Sequence, residues 1–158
     1  MSTPAGDLSA DVSFAEIQRY TPHRYPLLLL DRGKEFEPFR RMVGIKNISC
    51  NEPWFQGCPP GEEYFPDVLI LEALGQVGGV MMSKSLGADQ TGKTVVFIAM
   101  DNVRFLRRAR PGDVLHMPVT VIKYRETFFK FHAEAYVNGR LIAECDFSGV
   151  AVADPTGA

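Results

Sequence analysis

The sequence predicts the α+β class, with a long, curved antiparallel sheet wrapped around one central helix. Residues 68–86 are apolar on nearly every side, so a helix there has to be surrounded by other structure. Most of the remaining chain consists of short segments that alternate between apolar and polar residues and end at Gly, Pro or Asn, which is typical of strands. A sheet of about five or six strands that encloses the helix satisfies both observations.

The composition limits the size of the protein and its class of function. A chain of 158 residues with 46% hydrophobic residues is long enough for one domain with its own core. A net charge of −2 gives no electrostatic case for a nucleic-acid partner, which needs a clustered basic surface. Cys50, Cys58 and Cys145 lack C-x-x-C spacing, so we expect neither a metal knuckle nor a disulfide scaffold. No metal or cofactor is predicted.

The most apolar run, residues 68–82, raises the question of a membrane span. It contains Glu72, Gln76 and three glycines, and it is shorter than the roughly 18–20 apolar residues that a span needs. The first residues, MSTPAGDLSADVS, have neither the basic region nor the apolar region that is typical of a secretory signal. The sequence therefore predicts a buried helix, no membrane span and a cytoplasmic location.

The chain before the central helix predicts one short helix and two strands. SFAEIQRY (13–20) opens with Ser and has Glu three positions later, which is a capping-box pattern. TPHRYP (21–26) ends this helix with two prolines. LLLLDR (27–32) is a continuous apolar run bounded by helix breakers, which suits a buried strand, and RRMVGIKNISC (40–50) alternates well enough for another.

A loop rich in Pro and Gly precedes the central helix, and strands follow it. Asp67 is a good N-cap candidate for a helix over residues 68–86. Turns are predicted at 110–113, which reads Arg-Pro-Gly-Asp, and at Asn138-Gly139, which is a strong hairpin signal. The predicted strands are 94–106, 114–124, 127–137 and 141–153.

One helix enclosed by antiparallel strands is the hotdog architecture. We find no internal repeat, linker or low-complexity tract in the sequence, so a single domain is expected over residues 13–153. Residues 1–12 and 154–158 are expected to be short tails, the first of them flexible.

Four ordered motifs resemble one enzyme family. They are PHRYPLLLLDR (22–32), IKNISCNEPWFQG (45–57), PDVLILEALGQ (66–76) and VRFLRRARPGD (103–113). With them the chain resembles, over residues 14–152, the short bacterial 3-hydroxyacyl-acyl-carrier-protein dehydratases of fatty-acid synthesis (FabZ type, related to FabA). The resemblance implies a lyase of fatty-acid or specialised acyl or polyketide synthesis. It also implies an acyl-carrier-protein partner with a tethered acyl chain and a homodimer or dimer-based oligomer.

The resemblance also implies site residues. The family has a Gly-His-Phe-Pro-Gly loop with a catalytic histidine, and the next helix has a catalytic glutamate. The family's glutamate matches Glu72, and a glutamine often found beside it matches Gln76. The flanking glycines match Gly57 and Gly61, whereas the histidine position is Cys58 in this sequence. A glycine that usually follows the proline before the helix is replaced by Asp67.

Dehydration of a 3-hydroxyacyl thioester removes a proton from C2 and expels hydroxide from C3. The negative charge that develops on the carbonyl oxygen needs donors, which the N–H groups near Val68 or in the Gly57 loop could provide. The proton donor must stay protonated, and an apolar environment raises the pKa of a carboxyl. The neighbours Leu69, Ile70, Leu71 and Leu74 predict such an environment for Glu72. The alternative is a buried acid paired with an arginine for structure.

Three roles are open for Cys58. It is a small filler at the former histidine position, an altered acid–base group, or a nucleophile that captures the acyl group. An ordinary thiol with a pKa of about 8.5 is only slightly ionised at neutral pH. The other histidines are not expected to replace the missing one. His23 lies in a loop that is a structural signature of the family, and His116 and His132 lie on predicted strands.

The resemblance assigns further residues to substrate and partner. Val68, Phe97 and Phe105 are candidates for substrate binding, although core packing explains the two phenylalanines equally well. The candidate docking residues for the acidic carrier protein are Arg104, Arg107, Arg108 and Arg110, for which a solvated charge run is the alternative.

Three functions are therefore considered. The first is a 3-hydroxyacyl-thioester dehydratase that uses Glu72 as acid, with Cys58 in place of the usual His. The second is a catalytically impaired or inactive subunit that pairs with a His-containing homologue. The third is other thioester chemistry, isomerisation or hydrolysis, because one fold supports several reactions.

Overall fold

The computed structural model of the chain describes residues 11–87 and 93–153. The helices are Phe14–Tyr20 (α1) and Asp67–Ser85 (α2), and a 3-10 turn spans Pro53–Phe55. The strands are Arg32–Glu37 (β1), Arg41–Asn47 (β2), Lys93–Phe105 (β3), Val114–Arg125 (β4), Phe128–Val137 (β5) and Arg140–Ala153 (β6).

The strands form one antiparallel sheet in the order β1-β2-β4-β5-β6-β3. Within the described part of the chain, β1 and β3 are its edges. The helix α2 packs against β2, β3, β4, β5 and β6. Its residues Ala73, Leu74, Val77 and Met81 are completely buried. The predicted α+β hotdog architecture is therefore confirmed.

Small residues let the helix and the sheet approach each other closely. A Cβ atom at Gly44 on β2 would lie 2.2 Å from Cγ2 of Val77, so no larger residue fits there without movement. On the helix itself, a Cβ atom at Gly78 would lie 3.3 Å from the ring of Phe131 on β5. Glycine in a helix reduces its stability, and close packing against the sheet offsets that loss.

The start of α2 differs from the prediction by one residue. The helix spans Asp67–Ser85, against the predicted range of about 68–86, and Pro66 is its N-cap. The expectation that Asp67 caps the helix is wrong, because no side-chain hydrogen bond caps it and Asp67 is its first residue. A carboxylate in the first turn is still favourable, since the N-terminal end of a helix dipole is positive.

The predicted strand over residues 27–32 is wrong. The chain forms a turn and then an irregular segment, and regular pairing begins only at Arg32. Leu29 and Leu30 are nevertheless buried, whereas Leu27 is 46% exposed. The apolar run was correctly predicted as core, but the backbone of Leu29 donates to a side chain of α2 instead of to a neighbouring strand.

The capping box of α1 is confirmed. The backbone N–H of Glu16 donates to Oγ of Ser13, and the carboxylate of Glu16 accepts from the backbone N–H of Ser13. Val12, the residue before the predicted domain, is fully buried and pairs with Gly33 through two backbone hydrogen bonds. Residues 1–10 of the predicted N-terminal tail (1–12) and the predicted tail at 154–158 lie outside the described residues.

The predicted hairpin at Asn138-Gly139 is confirmed. Asn138 and Gly139 have φ values of 49° and 72°, as a two-residue hairpin turn of type I′ requires, and they connect β5 to β6. Among the helices that the structure describes, none is long and apolar enough to cross a membrane.

Candidate active site

Glu72 and Gln76 lie one turn apart on the same face of α2. Nε2 of Gln76 donates to Oε1 of Glu72 over 2.7 Å. Residues four apart on a helix are neighbours, so this pair follows directly from the sequence spacing. Gln76 is only 3% exposed, so the carboxyl group of Glu72 is held by a buried amide.

The same amide also binds the segment that precedes β1. Nε2 of Gln76 donates to the carbonyl oxygen of Leu27 over 2.7 Å, and Oε1 accepts from the backbone N–H of Leu29 over 2.9 Å. One side chain thus bonds to Glu72 and to two backbone groups of a distant segment. This network fixes the position of the loop before Leu27 relative to Glu72.

That loop places an imidazole beside the carboxyl group. Nε2 of His23 lies 3.3 Å from Oε1 of Glu72, and Nδ1 of His23 lies 2.5 Å from Oγ1 of Thr21. The guanidinium of Arg24 donates to the carbonyl oxygens of Thr21 and His23, which holds the backbone of the loop. Sequence reasoning missed the contact between His23 and Glu72, because no local pattern relates residues so far apart in the chain.

Glu72 is more exposed than its neighbours in the sequence suggested. Its side chain is 40% exposed in the single chain, and that of His23 is 38% exposed. The expectation of an apolar environment on all sides is therefore wrong for this chain alone. The side chain of Glu72 faces His23, whereas Ile70 and Leu74 are completely buried. No arginine is recorded beside Glu72 in the part of the chain that the structure describes, so the paired-arginine alternative has no support.

Cys58 lies in a tight loop between two glycines with left-handed backbones. Gly57 and Gly61 have φ values of 80° and 87°, which glycine adopts without strain. The backbone N–H of Cys58 donates to Phe55, and its thiol lies 3.9 Å from the carbonyl oxygen of Trp54. Within residues 11–87 and 93–153, no contact between Cys58 and Glu72 is recorded. The structure therefore brings Glu72 and Gln76 together with His23, not with Cys58.

A buried ion pair anchors the chain just before this loop. Nζ of Lys46 lies 2.7 Å from Oε1 of Glu52, and both side chains are nearly inaccessible to water. The indole N–H of Trp54 donates to the other oxygen of Glu52. The ammonium group also lies 5.3 Å from the centre of the Phe65 ring. Removal of either partner would leave an unpaired buried charge, which is strongly destabilising. The ion pair therefore fixes the chain just before the loop of Cys58.

The predicted substrate-binding residues lie in different environments. Val68 is in the first turn of α2 and is 67% exposed. The ring of Phe97 packs against Phe147 at 5.4 Å and is 37% exposed. Phe105 lies at the end of β3 and is 42% exposed. Phe97 therefore contacts the core and is also partly exposed. This position is compatible with core packing and with substrate binding.

The predicted docking arginines do not form one uniform patch. Nε of Arg104 lies 2.6 Å from Oε1 of Glu144, so its charge is paired on the sheet. Arg110 donates to the carbonyl oxygen of Gly61 and to the hydroxyl of Tyr64, and it therefore holds the loop around Gly61. Arg107 and Arg108 instead line a surface cavity of about 420 Å³. Val137, Asn138, Arg140 and Ile142 complete the lining.

One group of side chains has metal-ligand spacing, but its members already have partners. The ligand atoms of His132, Glu134 and Glu144 all lie within 4.8 Å of one another. Nδ1 of His132 lies 2.9 Å from Oδ1 of Asp146, and this hydrogen bond lowers the pKa of Asp146. The hydroxyl of Tyr136 donates to Glu134. These contacts satisfy the group without a metal.

Comparisons with known proteins identify the family of the chain. The FabA-like domain model matches residues 21–146. The protein named 3-hydroxyacyl-acyl-carrier-protein dehydratase FabZ from Caulobacter vibrioides is 47% identical over 145 residues, which are 92% of this chain and 91% of the relative. The protein of the same name from Hydrogenobaculum is 48% identical over 129 residues, 82% of this chain and 87% of the relative.

A solved structure supports the fold. The dehydratase heterocomplex ApeI:P from Xenorhabdus doucetiae contains a chain that is similar with a TM-score of 0.71 at 16% identity, covering 89% of this chain and 93% of that one. The residues matched by the FabA-like domain model include the loop of His23, the loop of Cys58 and the helix of Glu72. The chain therefore belongs to the FabA-like family, among the relatives named 3-hydroxyacyl-acyl-carrier-protein dehydratase FabZ.

Proposed function

We propose that this chain is a 3-hydroxyacyl-acyl-carrier-protein dehydratase, a hydro-lyase that eliminates water from a 3-hydroxyacyl thioester. The observation that carries the proposal is the carboxyl group of Glu72, held by Gln76 on the central helix of a chain whose close relatives bear that name. Fatty-acid synthesis or a specialised acyl or polyketide pathway in the cytoplasm is the setting that this reaction implies.

In this proposal Glu72 is the acid that protonates the departing hydroxyl group on C3. The hydrogen bond from Gln76 occupies Oε1, so Oε2 would be the oxygen that carries the reacting proton. The thioester carbonyl would accept hydrogen bonds from N–H groups at the start of α2, near Val68, or in the loop at Gly57. Such donors stabilise the negative charge that develops when the C2 proton leaves.

Cys58 occupies the position of the usual histidine, and the proposal includes it in the site. Its thiol is half-buried and directed at the carbonyl of Trp54, which supports the role of a filler better than that of an acid–base group. Capture of the acyl group would require an ionised thiol, and no cation is recorded beside Cys58 among the described residues.

The carrier protein would dock on the basic surface near the start of β6. Arg107, Arg108 and Arg140 line its cavity, and the guanidinium of Arg108 also lies 4.6 Å from the centre of the Tyr64 ring. Arg104 is paired with Glu144, and Arg110 donates to Tyr64. Exposed arginines attract an acidic partner and accelerate its association more than they tighten it. We therefore assign docking mainly to Arg107 and Arg108, with Arg104 and Arg110 at the border of the surface.

The active assembly is proposed to be a homodimer or a dimer-based oligomer. β3 is an edge of the sheet, and it exposes large apolar side chains that a monomer would leave in water. Unpaired edges of this kind pair readily with another chain. Pairing between two copies would cover these side chains.

The test is the reverse reaction, hydration of a crotonyl thioester of acyl carrier protein by the purified chain. We expect turnover by the wild type and a loss of at least about 100-fold in Glu72→Gln, because an acid–base group contributes that much. Cys58→Ser, with a group of similar size, is the matched variant and should retain most of the rate. If Glu72→Gln remains as active as the wild type, the proposed role of Glu72 is wrong.

A second candidate is a subunit that acts only beside a His-containing homologue. Cys58 at the histidine position favours it, and the related structure of ApeI:P is named a heterocomplex. In that case the wild type alone would not turn over, whereas Cys58→His would gain activity. The hydration assay therefore separates the two candidates.

A further inference from the structure

We propose that His23 replaces the imidazole that is missing at Cys58, so that the acid–base pair of this chain is His23 and Glu72. This inference rests on the proposed dehydratase function and deepens it. The observation behind it is the distance of 3.3 Å between Nε2 of His23 and Oε1 of Glu72. Both residues belong to the same chain.

The loop is built to hold the imidazole in one orientation. Nδ1 of His23 pairs with the hydroxyl of Thr21, and the guanidinium of Arg24 binds two carbonyl groups of the loop. Further along, Gln76 fixes Leu27 and Leu29 to the helix that holds Glu72. Loop and helix are therefore linked at two points, one through Gln76 and one through the His23–Glu72 contact.

The pair is accessible in the way that a reacting group must be. The side chains of His23 and Glu72 are 38% and 40% exposed, whereas Gln76 behind them is buried. A histidine that served only to fill the core would be enclosed by apolar side chains. The charged groups recorded around His23 are Glu72 on α2 and Arg24 in its own loop.

The chemistry fits two adjacent groups. C2 and C3 of the substrate are neighbouring carbons, so a base and an acid that lie side by side can serve both when the proton and the hydroxyl leave from the same face. An imidazole is the ordinary side chain best suited to accept a proton near neutral pH. A thiol bound to a backbone carbonyl, as in Cys58, is a poorer base and is not in contact with Glu72 within the described chain.

The proposed step conserves atoms and electrons. His23 begins with its proton on Nδ1, donated to Thr21, and Glu72 begins protonated on Oε2. Nε2 takes the C2 proton, the electron pair of the C2–H bond forms the C2=C3 double bond, and the C3–O bond breaks. Glu72 gives its proton to the departing oxygen, and water leaves. The proton on Nε2 then passes to the carboxylate of Glu72, which restores the starting state.

The experiment is hydration of the crotonyl thioester of acyl carrier protein by His23→Gln and His23→Ala, over a range of pH. We expect both variants to lose at least about 100-fold in kcat/KM, mainly through kcat. The pH profile of the remaining rate should no longer contain the inflection that the imidazole causes. Added imidazole should partly restore the rate of His23→Ala. His132→Gln is the matched control, because this histidine is 44% exposed and lies on β5, and it should keep the wild-type rate.

Several outcomes would overturn the inference. If His23→Gln keeps the wild-type rate and pH profile while Glu72→Gln is inactive, the proposed function stands and the role of His23 is wrong. A rate lost together with thermal stability, with an unchanged pH profile and no rescue by imidazole, would mean that His23 only supports the fold. If the wild type itself does not turn over and Cys58→His does, the proposed function of the single chain fails, and this inference fails with it.

Discussion

At the scale of single residues, the side chain of Gln76 connects three parts of the candidate site. Its amide donates to Glu72 and to the carbonyl of Leu27, and it accepts from the N–H of Leu29. All three bonds depend on one buried group. The stability of the segment before β1 and the orientation of Glu72 are therefore coupled through Gln76.

We predict that Gln76→Leu lowers the free energy of unfolding by about 2 kcal/mol. The substitution keeps the approximate volume but leaves backbone groups at Leu27 and Leu29 without their partner, and an unsatisfied buried group costs about 1–3 kcal/mol. Urea denaturation followed by circular dichroism measures the effect. Gln56→Leu, at an exposed position just after the 3-10 turn, is the matched control. A change below about 0.5 kcal/mol, typical of surface substitutions, would contradict the prediction.

The three cysteines differ in burial, and this difference predicts their reactivity. Cys50 is exposed, Cys58 is half-buried and Cys145 is fully buried. Burial, with a smaller effect of the neighbouring Asp146, raises the pKa of Cys145 to about 12. The reactive form of a thiol is the thiolate, so Cys145 should be inert in the folded protein.

We predict that a thiol reagent at pH 8 modifies Cys50 and Cys58 in the native protein and Cys145 only after unfolding in guanidinium chloride. Mass spectrometry of peptides from native and unfolded samples identifies the modified residues. Cys145→Ser should leave the native labelling unchanged. Fast native labelling of Cys145 would show that β6 opens more readily than its burial implies.

Part of the site could be predicted from the sequence because it is local. Glu72 and Gln76 are four residues apart on a helix, and that spacing alone makes them neighbours. The contact between His23 and Glu72 is not local, since it depends on how the loop is fixed by Gln76. The exposure of Glu72 was also predicted wrongly, because the buried Ile70 and Leu74 are each two residues from Glu72 and therefore lie on another face of the helix.

At the scale of elements, the short helix α1 is attached to α2 by charge. Oε1 of Glu16 lies 2.6 Å from Nζ of Lys84, while its other oxygen accepts from Ser13. The hydrogen bond with Lys84, followed by that with the Ser13 backbone, lowers the pKa of Glu16 from 4.5 to about 2. The capping box thus stabilises α1 and its contact with the central helix together.

We predict that Glu16→Gln destabilises the protein at pH 7 by about 1 kcal/mol, a modest value because water screens a carboxylate that is more than a third exposed. The folded-state pKa is the lower one, so the stabilisation is present above pH 4.5 and is lost as the pH falls towards 2. Urea denaturation at several pH values between 7 and 3 measures it. The difference in the free energy of unfolding between the wild type and Glu16→Gln should become smaller as the pH falls over that range.

A control for this prediction is Glu37→Gln, which removes the more exposed pair of Glu37 with Arg40. Surface ion pairs of this kind contribute little to stability. The free energy of unfolding of Glu37→Gln should therefore stay close to that of the wild type at each pH. A gap between wild type and Glu16→Gln that stays constant with pH would mean that the carboxylate charge is not responsible.

The elements were predicted best where a cap or a turn marks them. The capping box at Ser13 and the hairpin turn at Asn138 each require particular residues, and both are confirmed. The run at residues 27–32 was misassigned because burial and strand pairing give the same apolar pattern. Its backbone partners include Gln76, which no property of the run itself reveals.

At the scale of the whole molecule, the two edges of the sheet differ. β1 is short and mostly polar, whereas β3 is long and apolar on its exposed surface. The exposed residues of β3 include Val96, Phe97, Ile98, Met100, Val103 and Phe105. A long apolar edge favours association with another chain, so β3 is the expected contact between copies.

We predict that Ile98→Asp weakens the oligomer and lowers the dehydratase rate at low protein concentration. A charge placed in a contact between two copies would have to be buried without a partner, which is costly. Ile122→Asp is the matched control, because Ile122 is also at a strand irregularity and is 55% exposed, close to the 59% of Ile98, but it lies on the interior strand β4. Analytical ultracentrifugation over a range of concentrations should show dissociation for Ile98→Asp and none for Ile122→Asp. Equal behaviour of the two variants would place the contact between copies elsewhere than on β3.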